Sequence, residues 1–246
     1  FSPAEKVWIV GGLQKVPVSR EALIASSNLT FTERSVSTAW LTPGRDLGAV
    51  VDARLEMLRF RVGAFNGGGD LLGDDNPGKL FAARIEANFG DERTYQTYGT
   101  VDDLTVGVGV DGWANSGRSV TSSGVGADLI VRFDGFALLL EGRRNRLEPK
   151  EDLVVAPGTL AETDRQGVFA QLGYTVGSFE PAVRYSILDD DTNTEDAGDA
   201  GELLGGVTWH SDKDQVRAGL GYVSRLENNR NAVPNDTLRA WFQLKL

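Results

Sequence analysis

The sequence predicts an all-β fold, an antiparallel transmembrane β-barrel with about twelve strands in this chain. Three observations predict it. Hydropathy alternates with period two over runs of about ten residues, the length of a tilted membrane-spanning strand. The connections between runs alternate between short and long, as they do when turns lie on one side of a membrane and loops on the other. The charged residues inside the runs fall on one parity, opposite the apolar set.

Taken in order, the runs are 6–16, 45–56, 58–66, 79–89, 102–113, 120–133, 136–147, 165–176, 179–189, 202–211, 215–226 and 236–246. In 120–133, Ala127, Leu129, Val131 and Phe133 alternate with Asp128, Ile130 and Arg132. In 179–189, Phe179, Val183, Tyr185 and Ile187 alternate with Glu180, Arg184 and Ser186. The last run sets Leu238, Ala240, Phe242 and Leu244 against Thr237, Arg239, Trp241 and Gln243. Alternation of this kind gives each strand one greasy and one polar face. No helical stripe interrupts the pattern, although 20–29 could form one short turn.

The short connections are Met57 to Leu58, Asp134-Gly135, Gly177-Ser178 and Asp212-Lys213-Asp214. The long ones are 17–44, 66–78, 148–164, 190–201 and 227–235. One connection breaks the rule: 90–101 falls on the short side and is long. The long loops hold clustered acids, among them Asp70, Asp74, Asp75, Glu148, Glu151, Asp152, Glu162, Asp164, Asp190, Asp191, Glu195, Asp196 and Asp199, and are expected to form a water-facing rim.

Composition removes several function classes. The 246 residues carry a net charge of −10, which disfavours nucleic acid as a partner. There is no cysteine and a single histidine, His210, so neither a thiolate metal site nor His-based catalysis is expected. No Ser/His/Asp grouping, phosphate-cradling loop or EF-hand is present, so no enzyme, no cofactor and no metal are expected. No apolar run reaches the about 18 residues of a transmembrane helix. The chain begins at Phe1, as expected of a protein that has lost a leader or of part of a longer one.

Parity assigns a pore-lining set: Arg54, Arg59, Arg61, Arg84, Arg132, Arg143, Arg184, Arg217, Arg225 and Arg239, with Lys245. Asp46, Asp52, Glu56, Glu86, Asp128, Glu141 and Glu180 share that face. A charge on the lipid face costs about 2–4 kcal/mol near the midplane, which drives these side chains inward. The excess of cations predicts weak anion selectivity, phosphate-like anions included. Pairing of Arg54 with Glu86, or of Arg59 and Arg61 with Asp52, would instead brace the wall. Phe60, Phe81, Phe89, Phe133, Phe136, Phe179, Tyr185, Trp209, Tyr222 and Phe242 fall on the lipid side, several near strand ends, as an aromatic girdle does. Trp241 falls inside and does not fit the girdle.

From Val7 to Asn88 the chain resembles the phosphate-selective porin O/P family of Gram-negative outer membranes. The resemblance is carried by GGLQKVPVSRE (11–21), SSNLTFTERS (26–35), TPGRDLGAVV (42–51), VGAFNGGG (62–69) and AARIEANF (82–89). It implies an outer-membrane location and passive diffusion of small hydrophilic solutes. It also implies an inward-folded constriction loop, for which 17–44 with Arg20, Glu21, Glu33 and Arg34 is the candidate. Expected partners are outer-membrane lipid, lipopolysaccharide and small anions, with a homotrimer or a larger envelope assembly. Family barrels have about sixteen strands, so 1–246 reads as one barrel domain or part of a larger one. Two other readings compete. One is a structural barrel whose plugged lumen makes it a scaffold for an envelope assembly. The other is a soluble all-β binding protein.

Overall fold

The computed structural model describes residues 5–69, 78–90, 93–150, 154–155, 158–159, 161–194, 198–211, 215–227 and 235–245. Twelve antiparallel strands form one sheet in which sequence neighbours pair throughout. They are β1 (Val7–Lys15), β2 (Arg45–Leu55), β3 (Leu58–Phe65), β4 (Leu80–Phe89), β5 (Thr105–Ser116), β6 (Val120–Phe133), β7 (Phe136–Pro149), β10 (Thr163–Tyr174), β11 (Phe179–Asp189), β12 (Ala200–His210), β13 (Val216–Glu227) and β14 (Thr237–Leu244). A small separate ladder, β8 (Val154–Val155) with β9 (Gly158–Thr159), decorates the β7–β10 connection. Two helices, α1 (Arg20–Leu23) and α2 (Val36–Leu41), lie between β1 and β2.

The tight turns follow from backbone chemistry. Asp134 and Gly135 both take positive φ, 43° and 81°, the pairing whose twist matches that of the flanking strands. Glu56 also has positive φ, and the β2–β3 turn is Glu56-Met57, one residue earlier than the sequence suggests. The Asp212-Lys213-Asp214 turn lies outside the described residues, as do rim acids Asp70, Asp74, Asp75, Glu151, Asp152, Glu195 and Asp196. Other rim acids pair with arginines of β7: Arg144 with Asp164 at 3.1 Å, and Arg146 with Glu148 at 2.8 Å and with Glu162.

Parity sorts the faces as expected. Outward positions of β5 and β13 hold exposed Val108, Val110, Leu220 and Tyr222, while inward positions hold buried Thr105, Asp111, Arg217 and Val223. Phe81, Phe89, Phe133, Phe179, Tyr185, Trp209, Tyr222 and Phe242 are all exposed on the outer surface. A soluble protein would cover such a surface, whereas a bilayer solvates it.

The sheet curls until strands from its two ends meet the same short segment. Residues 16–31 pack Val16 and Val18 against Val50 of β2, Phe65 of β3 and Leu80 of β4. The same stretch packs Phe31 against Leu204 of β12, Val223 of β13 and Trp241 of β14. Among the described residues no ladder joins β1 to β14.

Candidate functional site in the barrel lumen

The chain between β1 and β2 folds into the barrel rather than over its rim. Ser19 caps α1, its hydroxyl accepting from the Ala22 N–H at 3.0 Å, and Ser35 caps α2, accepting from the Thr38 N–H at 3.2 Å. Ile24 and Leu29 bury against Ile130, Leu139 and Phe169, which are inward apolar residues of β6, β7 and β10. Arg34 fastens the turn from within, donating to the carbonyls of Glu21, Ala22 and Ile24.

Arg20 and Glu21 are fully buried and bind the wall. Arg20 Nε lies 2.6 Å from Asp128, and its Nη1 donates to the Thr94 carbonyl at 3.2 Å. Glu21 accepts from the Ser35 hydroxyl at 2.7 Å and meets Arg184 of β11 at 3.3 Å. Arg184 also donates to the Glu33 carbonyl at 2.7 Å. Glu33 itself is exposed and pairs with Arg239 of β14 at 2.5 Å. All four residues of the candidate constriction loop therefore meet wall or loop partners inside the lumen.

The wall arginines form a paired network, the wall-bracing arrangement that the sequence offers beside a cationic pore. Arg84 is its hub, 2.6 Å from Glu86, 2.8 Å from Asp111 and 2.6 Å from Asp128. Arg143 lies 2.6 Å from Asp111 and 3.4 Å from Glu141. Arg61 lies 3.7 Å from Asp52 and 3.6 Å from Glu86. Arg59 donates two bonds to Asp52. Arg132 and Arg217 serve backbone carbonyls of inserted segments, Gly99 at 2.9 Å and Leu29 at 2.8 Å. Within the central cluster, Arg20, Arg61, Arg84 and Arg143 face Glu86, Asp111, Asp128 and Glu141, and the charge balances. The pairing of Arg54 with Glu86 does not form; Arg54 is exposed and stacks over Trp8 at 5.2 Å. Arg225 is exposed at the long-loop rim and donates to the Asn235 carbonyl.

Sequence reading missed two inward acids and one whole segment. Asp111 and Glu202 continue the polar parity of β5 and β12, so parity alone could have found them. The segment is 93–101, whose anomalous length was the signal. Tyr95 of this segment donates to Glu86 and sits among three guanidinium groups, those of Arg20, Arg59 and Arg61, at 5.3, 5.6 and 5.2 Å. Burial first, and then the Glu86 carboxylate, raises the phenol's pKa above its ordinary value, so it stays a donor.

Two glycines make room for this packing. A Cβ on Gly109 would lie 2.2 Å from Arg84 Nη2, and one on Gly219 would lie 2.2 Å from the Trp241 ring. Trp241 thus lies flat on a bare stretch of β13 and meets Phe31 edge-on, which explains its place inside rather than in the girdle. His210 is a packing residue, 2.9 Å from Glu180 and against the Tyr98 ring.

Glu21 is the joint that ties α1, α2 and β11 together. Glu21→Gln removes the charge that three donors share, the Ser35 N–H, the Ser35 hydroxyl and Arg184, and charge-assisted bonds of this type contribute about 1.5–3 kcal/mol each. Trypsin is expected to cleave after Arg20 or Arg34 faster in this variant than in the parent, with the barrel strands left intact. Equal cleavage rates would show that Glu21 does not hold the segment.

No family model matches the chain, and no curated protein matches it. The likeness to the phosphate-selective porin O/P family therefore stands on the quoted motifs alone. Solved structures do match. One is described as a porin, with a TM-score of 0.56 at 13% identity, covering 79% of this chain and 59% of that one. Another, described as outer-membrane expressed OmpT of Vibrio cholerae, gives a TM-score of 0.62 at 13% identity, covering 92% of this chain and 69% of that one. The chain thus spans well under the full length of both. At such low identity the likeness concerns architecture, and that architecture is the outer-membrane β-barrel.

Proposed function

We propose that the protein is a porin of the Gram-negative outer membrane, passing small hydrophilic solutes by diffusion through a lumen narrowed by residues 16–44. The observation that carries this reading is a lipid-facing barrel with a polar interior and a long connection folded inside it. The route left for solute follows the inner face of β1 and the short-turn end of β2. There the inward residues Trp8, Val10 and Arg54 remain exposed, whereas those of β4 to β12 lie largely under the inserted segments.

Selectivity on this reading comes from the inner charges that meet water. These are mixed: Arg54, Arg225 and Lys245 stand with Glu33 and Glu56. The mixture supports a weakly selective pore over one that discriminates strongly for phosphate-like anions. In planar bilayers under a salt gradient, Arg54→Gln with Arg225→Gln is expected to move the reversal potential toward cation preference. An unmoved potential would exclude these two groups from the pore field.

A second reading has its own support. Arg20, Arg84, Arg132 and Arg184 are wholly buried, as in a barrel whose filled lumen serves as a scaffold. Steady current through the reconstituted protein favours the porin; silence at all voltages favours the scaffold.

A further inference from the structure

The β4–β5 connection starts at the end of the barrel where its neighbours are tight turns. It enters the barrel instead of turning. Thr94, Thr97, Tyr98 and Val101 are all buried. The segment is fixed to the wall by Arg132, which donates to the carbonyls of Tyr98 and Gly99, and by Thr175, whose hydroxyl accepts from the Gly99 N–H at 3.0 Å. The Arg217 guanidinium lies 3.9 Å from the Tyr98 ring centre.

From there it reaches the tip of 16–44, which comes from the opposite end. The Thr97 N–H donates to the Asn28 carbonyl at 3.0 Å. The Thr30 N–H donates to the Thr97 hydroxyl at 2.8 Å, and the Thr30 hydroxyl donates to the Thr97 carbonyl at 2.9 Å. The Tyr98 hydroxyl donates to the Ser27 carbonyl at 2.9 Å. A connection with no role in the lumen would run over the surface, where water satisfies its backbone. This one gives up water and satisfies its polar groups on the other inserted segment.

We propose that residues 93–101 are a second constriction element, entering from the short-turn end, and that the latch between Thr97-Tyr98 and Ser27-Thr30 sets the open cross-section of the pore. The proposal rests on the porin reading. Thr97 and Tyr98 are positioning residues: they act through 16–44. The 16–44 segment is anchored to the wall near its start and end, by Arg20 to Asp128 and by Glu33 to Arg239, and at its middle by Arg217, which donates to the Leu29 and Thr30 carbonyls; the latch at Ser27–Thr30 adds the opposing element to these holds.

The test is single-channel recording in planar bilayers. Thr97→Val with Tyr98→Phe removes the side-chain bonds of Thr97 to Thr30 and Asn28 and of Tyr98 to Ser27, and is expected to raise the population of the displaced loop roughly a hundredfold, seen as a second, larger conductance level. Thr97→Ser keeps the hydroxyl and is expected to keep the parent's level. The chain has no cysteine, and the Thr30 and Thr97 hydroxyl oxygens are 3.0 Å apart, so Thr30→Cys with Thr97→Cys can form one disulfide across the latch. Oxidation is expected to hold that variant at the lower level, and reductant to release it in the same folded molecule. A third barrel, with 17–44 replaced by a short turn, separates the two hypotheses. If it conducts freely while neither the Val/Phe variant nor oxidation changes the current, the latch is overturned and the porin reading stands. If it too is silent, the porin reading fails and takes the latch with it.

Discussion

Arg84→Leu is expected to destabilise the barrel by about 3–5 kcal/mol, the scale for removing one partner of a buried ion cluster. Arg84 is fully buried and meets Glu86, Asp111 and Asp128 at once. Without it Glu86, Asp111 and Asp128 keep only Arg61, Arg143 and Arg20, and because Arg61 also meets Asp52 and Arg143 also meets Glu141, the cluster is left short of positive charge. The loss is measured as the change in unfolding free energy from urea titration of the refolded protein in detergent micelles. A change below about 1 kcal/mol, the level of an exposed ion pair, would mean that water reaches the cluster and that the lumen is wetter there than its packing suggests.

The second large effect belongs to the outer surface. Val110→Arg is expected to cost about 2–4 kcal/mol, because Val110 lies mid-strand on the lipid face, while the same change at Phe133, beside the Asp134-Gly135 turn, is expected to cost about 0–1 kcal/mol. Unfolding titrations in lipid vesicles give both values. A depth series with no slope would mean that this wall does not face hydrocarbon. The contrast with Arg84 matters: on the outer face arginine is destabilising, whereas on the inner face, beside the β4 residue Ile85 that pairs with Val110, it holds the wall together.

Most of the strand frame was legible in the sequence because it depends on local rules. The ends of β6 and β11 fall at 120–133 and 179–189 as the alternation predicts, since Asp134-Gly135 and Gly177 stop the pattern sharply. The face of each arginine was legible for the same reason. Its partner was not. Glu21 lies 163 residues from Arg184, and no period links them. The cationic excess assigned to the lumen shrinks because Asp111 and Glu202 join it from the wall, while the β1–β2 connection carries in Glu21 and Glu33 together with Arg20 and Arg34. The helix α2 was also invisible. VSTAWL carries two β-branched residues and no stripe, and its helical state rests on the Ser35 cap and on burial of Ser37, Thr38 and Leu41.

The inserted segments constrain the order in which the molecule can be made. Contacts of 16–34 with Arg184 and Arg217 join residues up to 190 positions apart, so the pieces inside the wall are synthesised long before the strands that enclose them. A nascent chain lacking the C-terminal strands leaves Phe31 without its cover from β12 and β13, and Glu21 without Arg184, its carboxylate then held by Ser35.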